Sequence, residues 1–169
     1  VLRPGAVFPA PEQVEELYAL AGRGEEPAEV AAMFAALYDL SLDRPDVVVA
    51  TATEVGELVG LGYGHPWRWD EQADDWSDEL RRGLGEPAAG LEGSFAVQLV
   101  AVHPAFARQG LGFELLKRLM IASGAAVHWL QTTDADSPAR RLYRRMGYRP
   151  IGHGPEAPDG APGLVLRHG

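Results

Sequence analysis

The chain has 169 residues, 46% of them hydrophobic and 23% charged, a balance that fits one globular domain, residues 1–169, with a core of its own. Its net charge of −9 argues against non-specific nucleic-acid binding, which needs a basic face. The absence of cysteine excludes disulfides, thiolate catalysis and cysteine-based zinc sites. No apolar run approaches the ~20 residues of a membrane span, and no basic-plus-apolar leader pattern stands near Val1, so the expectation is a cytoplasmic protein without a membrane partner.

Val1-Leu2-Arg3 reads as a short first strand ended by Pro4. Pro11 to Ala21 reads as a helix. Proline suits its first turn, Glu12, Glu15 and Glu16 favour its N-terminal half, and Val14, Leu17, Tyr18 and Ala21 make an apolar stripe before Gly22-Arg23-Gly24 stops it. A second helix is expected from Pro27 to Tyr38, with Val30, Met33, Phe34 and Leu37 as its apolar face. Asp46 to Thr51 and Gly56 to Tyr63 read as a hairpin turning through Thr53-Glu54-Val55. Residues 64–93 are less regular and hold Trp67, Trp69 and Trp76 together with Asp70, Glu71, Asp74, Asp75, Asp78 and Glu79, with Trp76 to Leu84 readable as helix. A strand (Ser94 to Val102), a helix (Gln109 to Ser123), a strand (Val127 to Thr132), a helix (Pro138 to Met146) and strands near Tyr148 to Gly152 and Gly163 to Arg167 follow. The order β-α-α-β-β-β-α-β-α-β-β fits one mixed α/β sheet with flanking helices.

The passage from Gln98 to Leu119 is the most informative. An apolar strand runs into Val102-His103-Pro104, then Arg108-Gln109-Gly110-Leu111-Gly112-Phe113, then a helix. A tight glycine loop at a helix N-terminus turns several backbone N–H groups toward one point, where the helix dipole favours an anion. Such a site suits a phosphate or pyrophosphate. The passage resembles the acyl-CoA-binding motif of the GCN5-related N-acetyltransferases (GNAT): Val-x-Pro, two residues, then Arg or Gln-x-x-Gly-x-Gly or Ala. One position departs, since the leading Arg or Gln falls on Ala107 and the arginine stands one place later at Arg108. A second passage, Asp136-Ser137-Pro138-Ala139-Arg140-Arg141-Leu142-Tyr143-Arg144-Arg145-Met146-Gly147-Tyr148, is similar to the family's Asn-x-x-Ala-x-x-Leu-Tyr-x-x-x-Gly-Phe element.

The resemblance implies a single-domain fold whose two central parallel strands splay apart to admit acetyl-CoA as cosubstrate. It implies that Val100, Ala101 and Val102 bond the pantetheine arm through their backbone, and that Arg108, Gln109, Gly110, Leu111, Gly112 and Phe113 hold the pyrophosphate. Tyr143 falls on the position that often serves as general acid. Asp136 stands where the family's Asn often touches the coenzyme; as an Asp before Ser137-Pro138 it also reads as a helix cap.

Acetyl transfer to an amine needs a neutral amine, a donor for the thioester carbonyl and an acid for the leaving thiolate. The family often places a Glu base on the strand before the coenzyme loop or on the next strand, but Gln98, Leu99 and Gln131 occupy those areas here. His65, Asp70, Glu71, His128 and Asp134 remain as candidates, or a water chain. The five histidines show no metal-ligand spacing, so no metal is expected. Trp67, Trp69 and Trp76 with the acids around them read equally as a pocket for a cationic amine or as a hydrophobic lid or homodimer contact. The expected function is an N-acetyltransferase acting on a primary amine, a small cationic molecule, by direct attack in a ternary complex. The alternatives are a catalytically weak acyl-CoA-binding or sensor domain, and an acetyltransferase of protein N-termini or lysines.

Overall fold

The computed structural model describes residues 1–2, 6–22, 27–158 and 160–169. Its elements are α1 (Pro11–Ala21), α2 (Ala28–Leu42), β1 (Val48–Glu54), β2 (Glu57–Pro66), α3 (Asp75–Leu84), β3 (Phe95–Val102), α4 (Leu111–Ser123), β4 (His128–Thr133), α5 (Pro138–Arg145), β5 (Arg149–Gly154) and β6 (Gly163–His168). The strands hydrogen-bond in the order β1-β2-β3-β4-β6-β5, so the expected mixed α/β class is observed. Of the expected first strand, Leu2 forms a bridge with Val49; Arg3 and Pro4, like Arg23 and Gly24 after α1, lie outside the described residues. The chain divides into two compact units, Val1–His65 with Val97–Gly124 and Pro66–Ala96 with Ala125–Gly169.

In the first unit, α1 begins where the Gln13 side chain accepts the Ala10 N–H at 2.9 Å, and it buries Val14 and Leu17 as its stripe predicts. The apolar face of α2 differs from the expected one. Ala31, Ala35 and Tyr38 are buried, with Phe34 and Leu42 packed beside them, while Met33, Leu37 and Leu40 are exposed. This helix is apolar on nearly every side, so periodicity does not choose a face. The choice falls to Tyr38, which buries its ring edge-on against Tyr63 and donates its hydroxyl to the Pro9 carbonyl at 3.1 Å.

The β2 sequence Gly60-Leu61-Gly62-Tyr63-Gly64 alternates nothing with bulk. Leu61 and Tyr63 enter the core with Val14, Leu17, Tyr38, Val47 and Val49. A Cβ at Gly60 would stand 3.0 Å from Leu115 and 3.1 Å from Leu111, and one at Gly62 would stand 3.0 Å from Leu119. The absent side chains let α4 lie directly on β2.

In the second unit, β4 and β6 pair antiparallel from His128–His168 to Thr133–Gly163, and β5 pairs with β6. The parallel register of β3 with β4 covers two pairs, Phe95–His128 and Ala96–Trp129. Trp67, Leu80, Leu84, Ala88, Leu91, Trp129 and Val165 form its core. The sequence pattern places the start of α3 within one residue, and Asp74 caps it by accepting the Ser77 N–H at 2.9 Å.

The β1–β2 hairpin is longer than expected and turns at Val55-Gly56, with φ of 50° and 86°. Positive φ at both central residues is the primed turn that matches strand twist. Gly56 adopts it at no cost, whereas Val55 is β-branched and pays for the left-handed region. Val55 is exposed, so no packing is lost on replacement. Val55→Asn should therefore stabilise the protein by about 1 kcal/mol, measured as a rise in the urea midpoint at constant m; an unchanged or lower midpoint would show that the turn carries no such strain.

Candidate active site

Along β3, Val97, Leu99 and Ala101 are buried, and Gln98, Val100 and Val102 are half-buried. The strand ends where the His103 N–H reaches the Val59 carbonyl at 2.9 Å. His103 then caps a short turn over Pro104–Phe106, its Nδ1 accepting the Ala105 N–H at 3.1 Å. Gln109 folds back to donate to the Ala105 carbonyl at 3.1 Å. Two loop residues are left-handed, Arg108 at φ 61° and Gly110 at φ 86°. For Arg108 this costs about 1–2 kcal/mol, a strain of the kind that collects at functional sites.

The first turn of α4 is closed by the Glu114 N–H on the Gly110 carbonyl at 3.0 Å. The backbone N–H groups of Leu111 and Gly112 come before that bond and so lie in the helix's open first turn. Gly110 is exposed, and a Cβ there would meet nothing within 4 Å. Glycine is therefore needed for its backbone angle, and the space outside it is open. The Arg108 side chain is exposed beside it. Open space, N–H groups, the helix dipole and one guanidinium fit a pyrophosphate.

The second motif has a clear physical content. Ser137, not Asp136, caps α5, its side chain accepting the Arg140 N–H at 3.1 Å. Asp136 is exposed and pairs with Arg141 at 2.9 Å, so its expected capping role passes to its neighbour. The serine wins because its short hydroxyl reaches the third residue on while Pro138 occupies the first helical position. At the other end, the Tyr148 N–H bonds the Tyr143 carbonyl at 3.0 Å and the Gly147 N–H bonds the Arg144 carbonyl at 3.1 Å, with Gly147 at φ 90°. This is a Schellman cap, and its accompanying apolar contact is the Tyr143–Tyr148 ring pair at 5.9 Å. Tyr143 is 8% exposed. Burial pushes its hydroxyl up to about 12, so it keeps its proton at neutral pH.

A family model, "Acetyltransferase (GNAT) family", matches residues 12–148. The chain belongs to the GNAT acetyltransferase family. No curated protein matches it in sequence. Among solved structures, a protein assigned to the GNAT family from Desulfovibrio desulfuricans has TM-score 0.70 at 20% identity, covering 96% of this chain and 94% of that one. The ribosomal-protein-S18-alanine N-acetyltransferase from Escherichia coli has TM-score 0.60 at 15% identity, with 93% and 85% covered. An aminoglycoside 6′-N-acetyltransferase complexed with coenzyme A has TM-score 0.61 at 15% identity, with 94% and 89% covered. At these identities the likeness shows the fold.

The remaining candidates of this GNAT chain separate by environment. Asp134 accepts from His153 at 2.9 Å and from Arg140 at 2.7 Å. These bonds, His153's first, hold its carboxyl below the usual range and make it a poor proton acceptor. Asp70 is exposed and Glu71 is paired with Arg68 at 2.7 Å. His128 is buried between the Phe95 and His168 rings. His65 is buried against Gln98, a pairing that sequence reading missed because the two stand 33 residues apart.

The three tryptophans do not form one aromatic face. Trp67 is 3% exposed and packs edge-on against Trp69 and Trp129. Trp69 donates its indole N–H to the Ala88 carbonyl at 3.0 Å, and the Arg81 guanidinium covers its ring at 5.4 Å. Trp76 is 40% exposed on α3. The indoles of Trp67 and Trp69, two of the expected acceptor contacts, thus lie in the core and under Arg81.

Coenzyme A should raise the melting temperature by mass action, by an amount that grows with its concentration. Gly110→Asp should abolish that rise, since it brings a carboxylate to the N-terminus of α4 and a side chain to φ 86°. A thermal-shift titration checks both, and a full rise in the variant would move the coenzyme elsewhere.

Proposed function

We propose that this acyl-CoA-dependent transferase moves an acetyl group from acetyl-CoA to a primary amine, a small cationic molecule, by direct attack in a ternary complex. The observation that carries the reading is the left-handed Arg108–Gly110 loop opening onto the N-terminus of α4. Its N–H groups bind and orient the coenzyme's pyrophosphate, which converts the reaction to one between held partners. The backbone of Val100, Ala101 and Val102 lines up the pantetheine arm. Tyr143 supplies its proton to the departing sulfur, and Asp136 is the proposed outer contact to the coenzyme. A chain without cysteine has no thiol to carry an acyl group, which favours direct attack.

The cationic acceptor is supported by the net charge of −9 and by the exposed acids Asp75, Asp78 and Glu79 on α3 beside Trp76. Carboxylates near a cleft draw a cation at low salt. Of the three tryptophans proposed for the acceptor site, Trp76 is the most exposed. An acceptor screen with free-thiol detection tests the reading; turnover of peptide N-termini and not of small amines would replace it with protein acetylation.

Tyr143→Phe keeps the ring that packs on Tyr148 and removes the hydroxyl. It should lower kcat by about 10²–10⁴ and leave coenzyme affinity within about twofold. Wild-type turnover on a true acceptor would return Tyr143 to a packing role. Trp76→Ala should raise the acceptor KM and lose most of that effect at high salt; equal KM values would remove Trp76 from the site.

A further inference from the structure

The strands β4, β5 and β6 carry no Asp or Glu, in a chain that has 24 of them. Arg149, the first residue of β5, stands directly opposite Arg167 on β6, and Arg167 stands opposite Trp129 on β4. Opposed residues of an antiparallel pair present their side chains to one face, with Cβ atoms ~5 Å apart. The two guanidiniums are therefore neighbours by register, and like charges so placed repel. Every polar group in this row is a donor, since guanidinium and indole N–H groups cannot accept. Arg167 Nε and Trp129 Nε1 are both buried without a hydrogen-bond partner. A buried donor without an acceptor is costly, so the row calls for an acceptor. Arg149 is exposed and Arg167 half-buried, and β5 is the edge strand, so the row is reached from solvent at its β5 end. Among the described residues, neither arginine has an ion pair. The helix α3 packs against β5. Its acids Asp75, Asp78 and Glu79 are exposed and pair with neither arginine.

We propose that Arg149 and Arg167 together hold a phosphate group, in a site built from other residues than the coenzyme loop. Two fixed positive charges match a phosphate dianion, whereas a carboxylate would leave one charge over. Each guanidinium offers a planar fork of N–H donors that fits phosphate oxygens. The covered Nε–H of Arg167 gains an acceptor in the process, and its burial strengthens that bond. The bound anion also removes the repulsion between the two side chains. Acid-free strands keep like charge away from it. A chain of net charge −9 repels phosphate as a whole, so any phosphate it binds is held by local contacts.

The test is a calorimetric titration of the full chain with inorganic phosphate at constant ionic strength and about pH 8, where phosphate is mostly the dianion. It is run with and without saturating coenzyme A, so that any phosphate bound at the coenzyme loop is displaced and set apart. A phosphate site that coenzyme A does not displace should remain. Arg149→Gln should weaken it about tenfold or more, because a charge-assisted contact is lost. Arg149→Lys should recover only part of that loss, since an ammonium has no fork. Arg118→Gln on α4 makes the same change of charge elsewhere and should leave the affinity within about twofold. Arg149 is exposed, so its variants should fold and decide the matter even where Arg167→Gln does not fold. Glycerol phosphate is titrated in parallel. Tighter binding than inorganic phosphate names a phosphomonoester as the ligand and weaker binding names the free ion, and both support the site. No binding at ~10 mM phosphate overturns the proposal. Equal weakening by Arg149→Gln and Arg118→Gln overturns it too, as does acetate binding as tightly as phosphate.

Discussion

The close approach of α4 to β2 is the contact on which the Arg108–Gly110 loop, the proposed coenzyme site, depends. Gly60 and Gly62 leave no side chains between strand and helix, and Leu111, Leu115 and Leu119 fill the space directly. Leu111 is both the first residue of α4 and one of the side chains seated on Gly60. The start of the helix is thus fixed by packing, and a loop that must reach that fixed point from β3 has few conformations to choose from. The left-handed Arg108 follows as the local cost of a turn imposed from both ends. On the same strand, Leu61 and Tyr63 build the core beneath α1 and α2. One period-two alternation therefore supplies both the core and the seat of the site.

The second motif acts through the same economy. The pattern Leu-Tyr, three residues, Gly and an aromatic describes a helix stop. Gly147 takes the left-handed angle, Tyr148 returns its N–H to Tyr143, and the two rings meet. Tyr143, the acid of the proposed reaction, is the residue whose carbonyl anchors the cap. The loop residues proposed to bind the coenzyme and the tyrosine on α5 each stand at a helix end, where backbone groups lack intrahelical partners.

What the sequence made legible follows from the same physics. Strongly punctuated elements were readable, as with α1, α3, α4 and α5, because proline, glycine and capping residues mark their ends. Both motifs were readable because their spacing encodes turns. The buried face of α2 was not, since a helix of alanines and leucines offers several faces of similar hydrophobicity and the tertiary contact of Tyr38 decides. The surroundings of Trp67 were not legible either, because indoles in an acidic loop look alike whether they face a ligand or a core, and its contact with Trp129 lies 62 positions away in the chain. The His65–Gln98 pair was invisible for the same reason, being a cross-strand neighbourhood and no local pattern.

The cap on α5 has a consequence for dynamics. The Tyr148 amide bonds to the Tyr143 carbonyl, and both rings are buried together. When the last turn of this eight-residue helix frays, the amide is released and the phenol leaves its place in one event. The exchange of that single amide hydrogen with solvent deuterium therefore clocks how often the tyrosine is out of position. A substitution elsewhere on α5 that speeds this exchange shortens the fraction of time for which the phenol sits in its packed place, without touching the hydroxyl itself.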